Sequence, residues 1–231
     1  MKSHRFIPKA QVVDRVEKVL DLACDKKVLH IGMGGFVDDR EITARYISTD
    51  LTVSVHGRLA GVASSLTGLD VNREMIESMQ KTVPGDYVVA DITESGLPEK
   101  LEQKFEVVLF PEVIEHLDCY RAALRNIRGL LTADGTLVIT TVNAYCLESI
   151  IKMLFRYESV HEEHTSYFSY RTMKRLLAMN GFMINQFAFT IERRTSFSSI
   201  FERVGYYTML AATAVLPQYA EGLLFVARLD Q

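Results

Sequence analysis

Apolar and polar positions along the chain follow two periods, and the switches between them outline its elements. Gln11 to Cys24 sets Val12, Val13, Val16, Val19 and Leu20 at helical spacing with charges between them. Lys27 to Ile31 (KVLHI) is a short apolar run that stops at glycines, as a buried strand does. Leu51 to Ser65 reads as a helix, Leu66 to Val71 (LTGLDV) as a second strand ending in an acid, and Asn72 to Lys81 as a helix. Tyr87 to Ala90 forms a third strand, followed by Asp91. Phe105 to Phe110 (FEVVLF) is a strong fourth strand; Pro111 to Leu117 opens a helix and Tyr120 to Leu131 continues helical. After the turn Ala133-Asp134-Gly135, Gly135 to Val142 gives a fifth strand. Thr172 to Met179 is a short helix stopped by Asn180-Gly181, and Phe182 to Thr190 and Gly222 to Leu229 are strands six and seven.

Strands alternating with helices predict an α/β fold, a doubly wound and mostly parallel sheet covered on both faces. Its ligand belongs beyond the carboxyl ends of the strands, at the switch point. The 231 residues, 48% hydrophobic, suit a single domain spanning 1–231. The net charge of −3, with no basic block, gives no push toward a nucleic-acid partner. Cys24, Cys119 and Cys146 are odd in number and widely spaced, which fits a reduced, cytoplasmic setting better than a disulfide framework or a metal knuckle. Cys119, after an acidic helix start, reads as an incidental free thiol or a reactive one. The N-terminus MKSHRFIPKA lacks the apolar core of a signal peptide. The long apolar stretch Tyr206 to Leu216 falls well short of the roughly 20 residues that span a bilayer.

Three motifs fall at successive strand ends. Ile31-Gly32-Met33-Gly34-Gly35-Phe36 is a turn whose glycines let backbone approach a ligand. A dinucleotide fingerprint would need glycine where Val37 stands, and an acid about 20 residues on, nearer than Asp70. Asp70 can accept both hydroxyls of a ribose, with Val71 beside it. In Ala90-Asp91-Ile92, Asp91 can accept an exocyclic amine while Ile92 packs on an adenine ring. Singly, each acid is also a plausible helix cap or turn residue.

VLHIGMGG, LTGLDVN, YVVADI, FEVVLFPEVIEHL and GTLVITTVN together resemble the ordered motifs of class I S-adenosylmethionine (SAM)-dependent methyltransferases, in the broad group that includes the ubiquinone-biosynthesis O-methyltransferases. The resemblance runs from about Lys26 to Phe189, with a further match at Ala220 to Arg228. It implies a Rossmann-like seven-stranded sheet whose last strand is antiparallel. It also implies SAM as cofactor, held by Gly32, Met33, Gly34, Asp70, Val71, Asp91 and Ile92, with Phe110 and Pro111 bordering the methyl donor. Two features depart from the pattern. His30 stands where the family usually has an acid, and the stretch from Phe36 to Val53, with Asp38, Asp39, Arg40 and Glu41, is longer than usual.

Methyl transfer from a sulfonium is an in-line displacement that needs alignment and, often, removal of a proton. Glu112, Glu115 and His116 lie at i, i+3 and i+4, which puts them on one face of a helix. His164 comes later in a loop, beside His161, Glu162 and Glu163. Three readings stand. His116 or His164, with Glu112, acts as general base or positions the acceptor. Alternatively Glu112, Glu115, His116 and His164 hold a divalent metal, a pattern similar to that of small-RNA terminal 2′-O-methyltransferases. In the third, the acids favour a helix N-terminus and His116 pairs with one of them.

Ala144 to Tyr170 reads as a lid carrying Tyr145, Phe155, Tyr157, Tyr167 and Phe168, and Phe197 to Leu216 as an apolar helical insertion for core, homodimer or lipid-like contacts. The leading function is methylation of a hydroxyl on a small-molecule acceptor. The alternatives are a non-catalytic interaction module, suggested by His30, and a metal-assisted RNA 2′-O-methyltransferase.

Overall fold

The computed structural model describes residues 6–34, 49–194 and 197–230, apart from the side chain of Phe201. Gly35, Phe36 and the acidic stretch to Glu41, where the sequence departs from the family pattern, lie outside the described residues.

The strands are β1 (Val12–Asp14), β2 (Lys27–Ile31), β3 (Ser65–Asp70), β4 (Asp86–Val89), β5 (Phe105–Pro111), β6 (Leu131–Val142), β7 (Phe182–Ile191) and β8 (Gly222–Leu229). They form one sheet in the order β1-β7-β8-β6-β5-β2-β3-β4. β8 runs antiparallel to both β6 and β7, and the other described pairings are parallel. The antiparallel last strand matches expectation; the count does not, because the described residues form eight strands instead of seven. The extra one is β1, at the start of the segment expected to be wholly helical. Its β-branched Val12 and Val13 extend the edge of β7, opposite Phe189 and Thr190. Asp14 then caps the helix α1 (Arg15–Ala23), accepting from the Glu17 amide at 3.0 Å.

The remaining helices are α2 (Val55–Ala60), α3 (Arg73–Thr82), α4 (Leu97–Leu101), α5 (Tyr120–Leu130), α6 (Leu147–Leu154), α7 (Tyr170–Met179) and α8 (Ile200–Val215). The helix expected from Leu51 to Ser65 is a single 3₁₀ turn, Leu51–Val53, followed by the short α2. The lid segment contains α6, and the apolar insertion is α8. No helix among the described residues is long and apolar enough to cross a membrane.

Along β8 the side chains alternate between two cores. Leu223, Phe225 and Ala227 join one with α5 and α7, and Leu224 and Val226 join the other with α1 and α2. β2 divides in the same way, Leu29 and Ile31 to the first core and Val28 to the second. That period of two, with apolar residues on both faces, is what a sandwiched sheet requires. A third cluster, Met33, Leu51, Met75, Ile76, Met79 and Val83, packs beside the end of β2. The chain turns in opposite directions from β2 and β5, neighbours in the sheet, and this sets the switch point between them.

Candidate active site

On one side of the switch point, the glycine loop leaves β2. Gly32 has φ +71, and a Cβ there would lie 2.2 Å from Val113 Cγ2, so the turn needs glycine on both counts. The Gly34 amide donates to Asp70 Oδ2 at 2.8 Å, and the Asn72 amide to Asp70 Oδ1 at 2.8 Å. Asp70 is buried at the end of β3, and loss of solvent is the main influence raising its pKa, offset in part by these amides. Its carboxylate therefore ties the loop to β3. Val71 next to it is exposed.

Asp91 is exposed after β4 and accepts from the Thr93 amide and hydroxyl at 2.7 and 2.8 Å. Ile92 turns into the first core. Buried Asn126 pins this loop, donating to the carbonyls of Ile92 and Glu94, both at 2.7 Å. Phe110 is also fully buried, so neither it nor Ile92 offers an open face; Met33 is buried in the third cluster.

His30 does not leave its loop without an anchor. Buried on the α2 side of β2, its Nδ1 lies 3.1 Å from His56 Nδ1 on α2, with the rings stacked at 5.3 Å. Burial pushes His56 down to about 4 and His30 well below its ordinary value, so both imidazoles are neutral near pH 7. One donates its Nδ1 proton and the other accepts it. The sequence showed an anomaly at His30 but not its partner 26 residues on.

Across the switch point, Pro111 still belongs to β5, and Glu112 comes next with φ +50, its amide donating to the Thr140 carbonyl at 2.9 Å. Strand pairing thus persists where a helix was expected. The chain then makes one 3₁₀ turn, Ile114–His116, rather than a helix with three groups on one face. The consequence is a split. Glu112 lies 3.5 Å from the Arg15 guanidinium of α1, whereas Glu115 turns inward and is fully buried.

Glu115, His116 and His164 do converge, each with a ligand atom within 4.8 Å of the others'. The His164 loop is stitched to that turn, with the Thr165 amide and hydroxyl donating to the Glu115 carbonyl at 2.9 and 3.1 Å. The rings of His116 and His164 meet edge to face at 4.6 Å, with His161 5.4 Å from His164. His116 Nδ1 lies 3.7 Å from Glu163. Of the four residues offered as alternative metal ligands, the structure brings these three together and leaves Glu112 outside the trio.

Neither Glu115 carboxylate oxygen has a hydrogen-bond partner among the described residues, and nor does buried His164 Nδ1. Thr141 and the Val142 amide lie close enough to temper the carboxyl's pKa, but neither reaches it in hydrogen-bond geometry. Burial first, then the nearby Glu112 charge, push Glu115 up to about 8. Burial also lowers His116, and with the neighbouring imidazoles takes His164 to about 4. Both histidines therefore carry free lone pairs at neutral pH. Unpartnered, buried oxygen and imidazole donors fit a divalent cation.

Beside this cluster is a cavity of about 280 Å³ lined by Arg15, Glu112, Cys146, Tyr167, Arg194 and Glu221, among others. It lies at the ends of β5, β6 and β7 and the start of β8, away from the glycine loop. Of the lid aromatics, Tyr167 lines it and Phe168 is core, while Tyr145, Phe155 and Tyr157 are exposed. Sequence reasoning missed Arg15 altogether; its only signal was a cation opening α1. Cys119 and Cys24 are exposed, and Cys146 is buried at the cavity wall.

A glycine loop tied to an acid at the next strand end, with a cavity across the switch point, is the arrangement of a doubly wound α/β domain. The chain belongs to the methyltransferase-domain family, whose model matches residues 3–186. It is 23% identical over 158 residues to the ubiquinone biosynthesis O-methyltransferase of Actinobacillus pleuropneumoniae serotype 5b, covering 62% of this chain and 60% of that protein. The counterpart in Glaesserella parasuis is 25% identical over 145 residues, 56% of this chain and 54% of that one. The matches thus span under two thirds of these relatives' length.

Among solved structures, a SAM-dependent methyltransferase from Archaeoglobus fulgidus superposes with TM-score 0.54 at 18% identity, over 92% of this chain and 90% of that one. The magnesium protoporphyrin IX methyltransferase of Synechocystis, solved with bound S-adenosylhomocysteine (SAH), gives 0.55 at 14%, over 92% and 80%. The fold is that of these SAM-dependent methyltransferases.

Proposed function

We propose that this chain transfers the methyl group of SAM to a hydroxyl of a small molecule. The observation that carries this reading is the division of the site about β5. Gly32, Gly34, Asp70 and Asp91 offer a nucleotide side, while Glu112, His116, His164 and the cavity offer an acceptor side. Gly32, Gly34, Asp70 and Asp91 would hold SAM, which would supply an electrophilic methyl group to the acceptor oxygen. The hydroxyl proton passes to the neutral imidazole of His116; His164, taken to about 4, is too weak a base for this and positions the acceptor. Supporting the hydroxyl acceptor are the distant O-methyltransferase relatives and these two imidazoles.

Titration calorimetry with SAH tests the reading. Binding at low micromolar concentration is expected, weakened at least about tenfold in Asp70→Asn, since a charged acceptor becomes a neutral one. No binding by the wild-type chain at high micromolar SAH would sink it, and would leave the interaction-module alternative.

A second reading, metal-assisted transfer, is favoured by the orphaned oxygens of Glu115. Glu115, His116 and His164 would hold the ion, which would supply Lewis-acid polarisation of the acceptor oxygen. Turnover abolished by EDTA and restored by Mg²⁺ or Mn²⁺ is its expected outcome; turnover unaffected by EDTA removes it.

A further inference from the structure

The hydrogen-bonding capacity left free in the cavity wall sets the chemistry of the acceptor. Resting on the methyltransferase reading above, we propose that the cavity takes an uncharged or cationic polyhydroxyl molecule of about monosaccharide size and discriminates against anions.

Size comes first. About 280 Å³ is at the lower edge of the roughly 300–1,000 Å³ of small-molecule sites, enough for one substituted ring.

Charge comes second. The lining holds four carboxylates, Glu112, Glu148, Glu192 and Glu221, against two guanidiniums. Both guanidiniums are already engaged. Arg15 lies 2.6 Å from Glu192 and 3.5 Å from Glu112. Arg194 lies 3.4 Å from Glu202 and 3.8 Å from Glu221. Lys152, near the cavity edge, is 2.6 Å from Glu148 and 3.1 Å from the Ser159 hydroxyl. An entering phosphate or carboxylate would have to displace one of these partners and then sit among the remaining acids, a like-charge cost.

The polarity of the free groups comes third. The Asn143 amide is spent on the carbonyls of Gln218 and Ala220, both at 2.9 Å, and its oxygen on the Tyr145 amide at 3.0 Å. The Tyr167 hydroxyl donates to the Ser159 carbonyl at 3.3 Å. The wall also offers the hydroxyls of Ser149, Ser159 and Thr190 and the remaining guanidinium N–H groups, but its four carboxylates outnumber its two guanidiniums and can only accept. Its complement is a ligand dense in donors, hydroxyl or ammonium. A ring bearing hydroxyl and amino groups fits this wall, and a sugar acid or sugar phosphate does not.

The test supplies tritiated-methyl SAM with three size-matched acceptor pools. One holds neutral and amino monosaccharides with cyclitols, one the corresponding uronic acids and sugar phosphates, and one catechols and simple phenols. Label in the first pool at least about tenfold above either of the others is expected. More label in the anionic or the phenolic pool overturns the proposal, and so does a first pool no better than blank. The Glu192→Gln/Glu221→Gln variant, checked for SAH binding, is expected to narrow the neutral-to-anionic ratio by about tenfold, because two of the repelling charges are gone. An unchanged ratio refutes the charge argument. SAH calorimetry separates the failures: SAH bound with the preference reversed defeats this inference alone, whereas SAH unbound defeats the methyltransferase reading beneath it.

Discussion

Glu115 is a carboxyl with no solvent and no hydrogen-bond partner among the described residues, and burial favours its protonated form. Its folded pKa of about 8 stands above the ordinary 4.5, so between those pH values the folded chain holds a proton that the unfolded chain has released. Stability is then full below about 4.5, falls as pH rises and levels off above about 8. We expect this group to cost on the order of a few kcal/mol across that window in EDTA-treated protein. Glu115→Gln, which keeps the shape without the titration, should flatten the slope in urea unfolding at pH 5, 7 and 9. A variant with the wild-type slope would show that another group carries it. Nothing in the local sequence announced this burial. Glu112, Glu115 and His116 look equivalent in the spacing, and only the positive φ at Glu112 sends them different ways.

At the scale of elements, the imidazole pair joins β2 to α2 across the second core. Both rings are neutral when folded, and their folded pKa values lie below the ordinary 6.5. The unfolded chain therefore takes up protons first, and stability contributed by the pair is present above about 6.5 and is lost as pH falls toward 4. His56→Gln is expected to shorten that acid limb, read as the change in thermal midpoint between pH 7 and 5. An identical pH dependence in variant and wild type would count against the pair.

Elements with strong apolar periods were legible: β8 agrees residue for residue, and β5 and β7 within one residue. Segments decided by distant pairing were not. Val12 and Val13 fit a helix period equally well, and only the edge of β7 makes them a strand. The same holds after Pro111, where pairing with Thr140 overrides the helical spacing.

For the whole molecule, the N-terminal unit β1–α1 does more than extend the sheet. It brings Arg15 to Glu112 and Glu192 at the cavity wall. Arg15→Met is expected to lower turnover by about tenfold or more while SAH affinity stays within about twofold. Equal losses in both would mean that the residue serves folding or the nucleotide side instead. The clasp of Asp70 on the glycine loop was legible because both are local motifs at consecutive strand ends. The cavity wall was only half readable, because Arg15, Arg194 and Glu221 come from three distant stretches with no motif among them.

The placement of β5 between the two halves has an evolutionary corollary. The residues after β2, β3 and β4 face one half-site, and those around β6, β7, β8 and α6 build the other. Selection can therefore rewrite the wall around Cys146 and Glu221, one substitution at a time, without disturbing the amide clasp on Asp70. A lineage built this way would diversify in what it modifies while inheriting its donor chemistry unchanged.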